Sequence, residues 1–264
     1  DENGLLKYIS LTTILDSALL DFNDVWETVY TGNHIYFRSG KRLFRFTPQT
    51  QIIKTWEPET SFSPCFYMPG ENYGFIIREN DRMMIMQKDS LIPLPEFNVM
   101  GGIFAYKFLP VWQDQFLCIT DHELYTYDLT KSVAPDAVFK TGIEPHIDQA
   151  GLYMGELLET EKIGITSRNE GLFIIDKKGR LFSHISEKNN LNDNLVWTAY
   201  NSKDDLLWLG LNNAISKIEY NTPFEIWDKN SGFDGSVNSL IVLKDILYLA
   251  TMNGVFKLDL NKSA

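Results

Sequence analysis

The sequence predicts an all-β fold, a β-propeller of about six four-stranded blades, on two observations. Six stretches, IYFRSGKRLFRF, FIIRENDRMMIM, FLCITDHELYTYD, IGITSRNEGLFIID, LWLGLNNAISKIE and LYLATMNGVFKLD, superimpose as apolar strand, tight turn, apolar strand. Their anchors Leu43, Met83, Leu124, Leu172, Ile215 and Val255 are spaced by 40, 41, 48, 43 and 40 residues. Self-similarity at that period with strand-type alternation marks propeller blades, and a blade cannot bury both of its faces without neighbours.

Each blade reads as four strands, A to D, running outwards. Blade one (24–57) uses DVWETVY, HIYFRS, KRLFRF and QIIKTW. Blade two (63–95) uses SPCFYM, YGFIIRE, RMMIMQ and a weak DSLIPLP, whose Pro93 and Pro95 suit only an edge strand because proline donates nothing to a ladder. Blade three (103–140) reads IFAYKFLPVW, QFLCIT, ELYTYD and a loose AVFK. Blade four (151–186) reads GLYMGELLE, KIGITS, GLFIID and RLFSHIS, and blade five (194–228) reads LVWTAYN, LLWLGL, AISKIEY and FEIWD. Blade six (236–260) has SVNSLIVL, ILYLAT and GVFKLDL and then lacks a fourth strand, for which residues 5–10, GLLKYIS in context, are the candidate. Such a 3+1 closure would remove an exposed sheet edge. An arc belonging to a larger propeller is the alternative. Gly32, Gly179 and Gly254 fall at hairpin turns, where positive φ is needed.

Composition narrows the function classes. A single domain of 264 residues is long enough for a substantial core, and 13% aromatic content suits interdigitating sheets. The net charge of −11, with basic residues scattered, argues against nucleic acid and against direct contact with an anionic membrane, since both need clustered Lys and Arg. No run approaches the length of a membrane-spanning helix. Cys65 and Cys118 sit inside strand patterns and read as buried free thiols.

At blades five and six the sequence resembles the bacterial two-component regulator propeller repeats. The connection Asn192-Asp193-Asn194-Leu195-Val196 leads into strand A, Leu207-Trp208-Leu209-Gly210 forms strand B, and Asn253-Gly254-Val255 opens strand C. The linker Asn221-Thr222-Pro223-Phe224 and the segment from Gly232 to Ser239 resemble sensors that carry a triple-tyrosine module after the propeller. Ala214, Leu211 and Asp205 depart from the repeat at turns. The resemblance covers nearly the whole chain and is weakest between residues 81 and 141. It implies a periplasmic or otherwise extracytoplasmic sensor segment of a membrane-anchored signalling or transcriptional regulator. Implied partners are further propeller blades or the triple-tyrosine module of the parent protein, with a homodimer as a further expectation.

The residues themselves offer no catalytic constellation, so an enzyme is not expected, nor a cofactor. A glycan-active hydrolase or lyase is the weakest alternative. His34, His122, His146 and His184 are dispersed without HxH or HExxH spacing, so no metal site is expected. There is no GxSxG elbow and no phosphate loop. Binding residues are instead expected on the face shared by the B-to-C and D-to-A connections, because loops held by a rigid scaffold carry function. The candidates are Trp26, Arg38, Asp121, His122, Arg168, Asn169, Trp197, Asn212, Asn213, Asn238 and Asn253. Amides, carboxylates and cations there could hydrogen-bond a saccharide or other small ligand, with the indoles of Trp26 and Trp197 stacking on a sugar ring. The alternatives are a purely solvated rim, packing of both tryptophans between blades, and a protein-interaction scaffold that binds no small molecule.

Overall fold

A computed structural model of the chain describes residues 10–68, 74–80, 82–94, 105–112, 115–128, 137–158, 161–202, 206–220 and 235–259. Among them lie six separate antiparallel sheets, one for each repeat. Blade one comprises β1 (Glu27–Tyr30), β2 (Ile35–Arg38), β3 (Leu43–Thr47) and β4 (Ile52–Trp56). Blade two comprises β5 (Phe62–Tyr67), β6 (Phe75–Glu79), β7 (Arg82–Gln87) and β8 (Ser90–Pro93), with Pro93 on the edge strand. Blade three comprises β9 (Lys107–Pro110), β10 (Gln115–Ile119), β11 (Leu124–Asp128) and the two-residue β12 (Ala137–Val138).

Blade four comprises β13 (Leu152–Leu157), β14 (Lys162–Ser167), β15 (Leu172–Asp176) and β16 (Leu181–Ile185). Blade five contributes β17 (Val196–Ser202), β18 (Leu206–Leu211) and β19 (Ile215–Glu219). Blade six contributes β20 (Val237–Leu243), β21 (Ile246–Thr251) and β22 (Gly254–Asp259). The expected fourth strands of these two blades, at 224–228 and at Leu5 to Ile9, lie outside the described residues, as do the linker at 221–224 and Asp205. Ser10 precedes a 3₁₀ turn at Leu11–Ile14.

The chain divides into two compact units, residues 1–139 and 140–264. In the first, the alternating pattern of blade two explains the core. Phe75, Ile77, Met84 and Met86 face one way, onto Tyr36 and Leu43 of blade one, and Tyr36 stacks on Phe75 at 3.9 Å. Ile76, Met83 and Ile85 face the other way, onto Phe108, Phe116 and Tyr127 of blade three. Period-two alternation therefore buries successive residues on opposite faces, each large side chain contributing about 1.5–3 kcal/mol.

Cys65 and Cys118 belong to these layers as unpaired, fully buried thiols. Burial pushes both thiols up from their ordinary range, so neither is poised as a nucleophile. At the outer strands Arg45 donates to the Lys88 carbonyl at 2.7 Å and pairs with Asp89, which also accepts from Lys54 at 2.6 Å.

In the second unit, Leu172 and Ile174 of blade four pack on Val196, Leu207 and Leu209 of blade five. One element departs from the expected all-β pattern. The connection entering blade four folds into α1 (Glu144–Ala150), with Pro145 in its first turn and Gly151 closing it in the left-handed conformation (φ 59°). Proline at the start and a left-handed glycine after the end are strong helix delimiters, which strand periodicity had overshadowed.

Candidate functional site

The start of strand A and the end of strand B meet in every blade of known register. In blade five, Val196 pairs with Leu211 and Thr198 with Gly210, so Trp197 is the extra residue of a β-bulge. In blade six, Val237 pairs with Thr251 and Ser239 with Ala250, leaving Asn238 in the equivalent bulge. Blade four shifts register between Leu152 and Gly155, placing Tyr153 at the same point. Bulges re-aim side chains out of the ladder. Trp197 and Asn238, both sequence-predicted site residues, thus occupy equivalent bulges.

In blades four and five this geometry assembles a cluster. The Arg168 guanidinium lies 5.2 Å from the centroid of the Tyr153 ring, and Tyr153 meets Trp197 edge-to-face at 5.3 Å. The Trp197 side chain retains 36% exposure. Backbone contacts hold the Arg168 turn in place: the N–H of Arg168 donates to Gly151 O at 2.9 Å and that of Asn169 to Ala150 O at 3.0 Å. The Asn169 side chain donates to Gln149 O at 2.9 Å, which commits it to α1. Sequence reasoning singled out Arg168, Asn169 and Trp197 but missed Tyr153, whose signal was its position just inside the first strand of blade four.

The other candidates occupy their own blades. Trp26 is half-exposed just before β1, its N–H donating to Arg38 O at 2.8 Å. Arg38 itself points into blade packing, where Nε donates to Glu27 Oε2 at 2.6 Å. The same Glu27 oxygen accepts from the Cys65 N–H at 2.9 Å, so this nearly buried pair bolts blade one to blade two. Asp121 and His122 form an exposed pair, 3.2 Å apart, in the β10–β11 turn. Asn212 and Asn213 are exposed in the β18–β19 turn. Asn253 is exposed in the β21–β22 turn, its N–H donating to Thr251 Oγ1 at 3.1 Å. The Asn192-Asp193-Asn194 connection serves the backbone: Asp193 accepts from the Leu195 N–H, and Asn194 O accepts from the Gly171 N–H at 2.9 Å.

The histidines, dispersed in sequence, are not all dispersed in space. His146 on α1 and His184 on β16 place their rings 5.0 Å apart, with Glu170 from the β14–β15 turn beside them. His184 lies flat on Phe173 at 4.4 Å, and Phe173 is fully buried opposite it in the β15–β16 ladder. Gly171 sets the turn at φ +79°, where a Cβ would stand 2.2 Å from Ile185 O, so no other residue fits there. One nitrogen or oxygen from each of His146, Glu170 and His184 falls within 4.8 Å of the others. Linear spacing could not reveal this set, because its members come from a helix, a turn and an edge strand. His34 is separate: it bonds Thr47 at 3.0 Å, and burial followed by the charge of Arg45 holds it below its usual pKa.

Comparison with known proteins bears on the architecture. No protein-family model matches the chain, and no curated protein matches it. Among solved structures it resembles the extracellular domain of the putative one component system BT4673 from B. thetaiotaomicron, at 15% identity and a TM-score of 0.53 over 92% of this chain and 34% of that one. The extracellular domain of the putative hybrid two component system BT3049 from B. thetaiotaomicron matches at 12% identity and a TM-score of 0.52, over 92% and 41% of the respective chains. The WD40 beta propeller domain of Doa1 matches at 12% identity and a TM-score of 0.54, over 73% and 62%. The fold is a β-propeller. This propeller spans about a third of the BT4673 domain. Both bacterial neighbours are extracellular domains of putative one- or two-component systems. Among the described residues of the propeller, no helix is long and apolar enough to cross a membrane.

Proposed function

We propose that the propeller is a non-catalytic, extracytoplasmic sensor module of a bacterial membrane-anchored signalling or transcriptional regulator, binding a ligand such as a glycan. In this reading residues 1–264 form one propeller domain, joined to further blades or a triple-tyrosine module of its parent. The observation that carries it is the fold likeness, over 92% of the chain, to extracellular domains of putative one- and two-component systems. The Arg168–Tyr153–Trp197 cluster supplies the binding chemistry: an exposed indole face for an apolar sugar surface, beside a guanidinium that can donate to hydroxyls or a uronate. A ligand acts by population shift, its differential affinity for two arrangements of the parent biasing the output domain.

A thermal-shift screen against neutral and acidic oligosaccharides tests this. A ligand that binds only the native state at 100 times its Kd stabilises by about 2.7 kcal/mol and raises the midpoint. Trp197→Ala should abolish the shift while leaving the unliganded midpoint close to wild type. No response to any saccharide would favour the second reading, a protein-interaction scaffold. That reading draws on blade six, where Leu240, Ile241, Val242 and Leu243 are each more than half exposed. Turnover on a polysaccharide panel would replace both with an enzyme.

A further inference from the structure

We propose that His146, Glu170 and His184 form a binding site for a divalent transition-metal ion, Zn²⁺ in the first instance, on the α1 side of blade four. The three donors are 24 and 14 residues apart in sequence and reach one point because three pieces of backbone converge there. The B-to-C turn hangs from the end of α1 through Arg168 and Asn169. Gly171 lets the same turn press against the end of β16. Phe173 supports His184 from beneath by stacking, and the His146 ring centroid also lies 5.6 Å from that of Phe173.

The spacing fits coordination better than direct hydrogen bonding. Glu170 Oε2 lies 3.9 Å from His146 Nδ1 and 3.6 Å from His184 Nε2, both beyond hydrogen-bond reach. Zn–N and Zn–O bonds of about 2.0–2.2 Å put tetrahedral ligand atoms roughly 3.3–3.5 Å apart. The three donors lie within 4.8 Å of one another, so side-chain rotations that close the widest gap by up to about 1.5 Å would place all three on one ion. Two imidazoles and one carboxylate select Zn²⁺, Ni²⁺ or Cu²⁺ over Ca²⁺ and Mg²⁺, which require oxygen-rich shells.

Side-chain exposures of 39%, 24% and 21% leave the fourth position open to water or to an oxygen of a bound molecule. His184 Nε2 lies 2.7 Å from the Glu170 carbonyl O, an acceptor only, so Nε2 carries the proton donated there. Metal entry therefore moves that proton to Nδ1, or turns the ring to offer Nδ1 instead. Neither movement disturbs the ladder, because Phe173 and His184 are paired through backbone.

Isothermal titration of the metal-free chain with ZnCl₂ at neutral pH tests the site. One Zn²⁺ should bind per chain, with CaCl₂ and MgCl₂ giving no signal. His146→Ala and Glu170→Gln change partly exposed side chains and should each weaken Zn²⁺ binding by about 100-fold or more, since loss of a supporting group alone already costs about 10–100-fold. Their circular dichroism and metal-free melting midpoints should match wild type, which separates ligand loss from misfolding in case His184→Ala unsettles Phe173. His122→Ala, altering the exposed Asp121/His122 pair, should bind Zn²⁺ as wild type does. Undiminished binding in His146→Ala and Glu170→Gln, loss of binding in His122→Ala alone, or no binding at 100 times the protein concentration would each overturn the site. The outcome is independent of the saccharide screen.

Discussion

Blades four and six have the same repeat, the same strand lengths within a residue or two and the same antiparallel pairing, yet opposite environments. In blade four, β14 and β15 are buried along almost their whole length, and Ile163, Ile165, Leu172 and Ile174 are fully enclosed. In blade six every residue of β20 is exposed, with Ile241 at 66%, and Val255 of β22 is 74% exposed. Because Leu240, Ile241, Val242 and Leu243 are consecutive, both faces of that strand are apolar and both are open to solvent. Hydrogen-bonded pairing makes a blade; neighbours make its core. Contiguous apolar surface of this kind is unusual on a soluble domain.

The largest expected difference comes from matched truncations. Ile174→Ala in blade four should cost about 2–5 kcal/mol in urea unfolding, whereas Ile241→Ala in blade six should stay within about 0.5 kcal/mol. Equal losses would mean that blade six is covered in solution, and the contrast would fail. Next come the two B-to-C turn glycines. Gly254→Ala meets open space and suffers only from its φ of +135°, about 1–3 kcal/mol. Gly171→Ala adds a backbone collision at 2.2 Å and should lose clearly more, with thermal melts giving the order.

A smaller effect tests the seam between blades one and two. Hydrogen bonds from Lys54 and then Arg45 hold the Asp89 carboxyl below its ordinary value. The unfolded chain therefore binds that proton more readily. The ionised group stabilises the fold above the usual carboxylate range, and this contribution fades as pH falls from there through the depressed folded value. Asp89→Asn should flatten this acid limb of a stability–pH curve by lowering stability at neutral pH and not at low pH, and the loss should be small because the pair is solvent-screened.

The repeat made the blades legible because period-two alternation on both sides of a tight turn is the pattern of a β-hairpin, and the strands described for all six blades fall where the superposition put them. The short helix α1 is less legible because its seven residues lie in the connection entering blade four, outside the repeated strands, where only Pro145 and Gly151 delimit it. Site residues were less legible. Arg168 was visible as a turn residue and Trp197 as an indole at the start of a first strand, but Tyr153, which links them, and the engagement of Arg38 with Glu27 depend on neighbouring strands. The His146–Glu170–His184 set depends on Gly171 bringing a turn against a distant edge strand, a contact that no linear motif encodes.

The central claim, a ligand-sensing face on blades four and five, is most directly tested by hydrogen exchange with and without a saccharide that raises the melting midpoint. The account predicts added protection confined to the segments around Arg168–Asn169 and Val196–Thr198, and none in Val237–Leu243. Protection appearing in blade six instead, or binding that leaves the Arg168 and Trp197 segments unchanged, would contradict it.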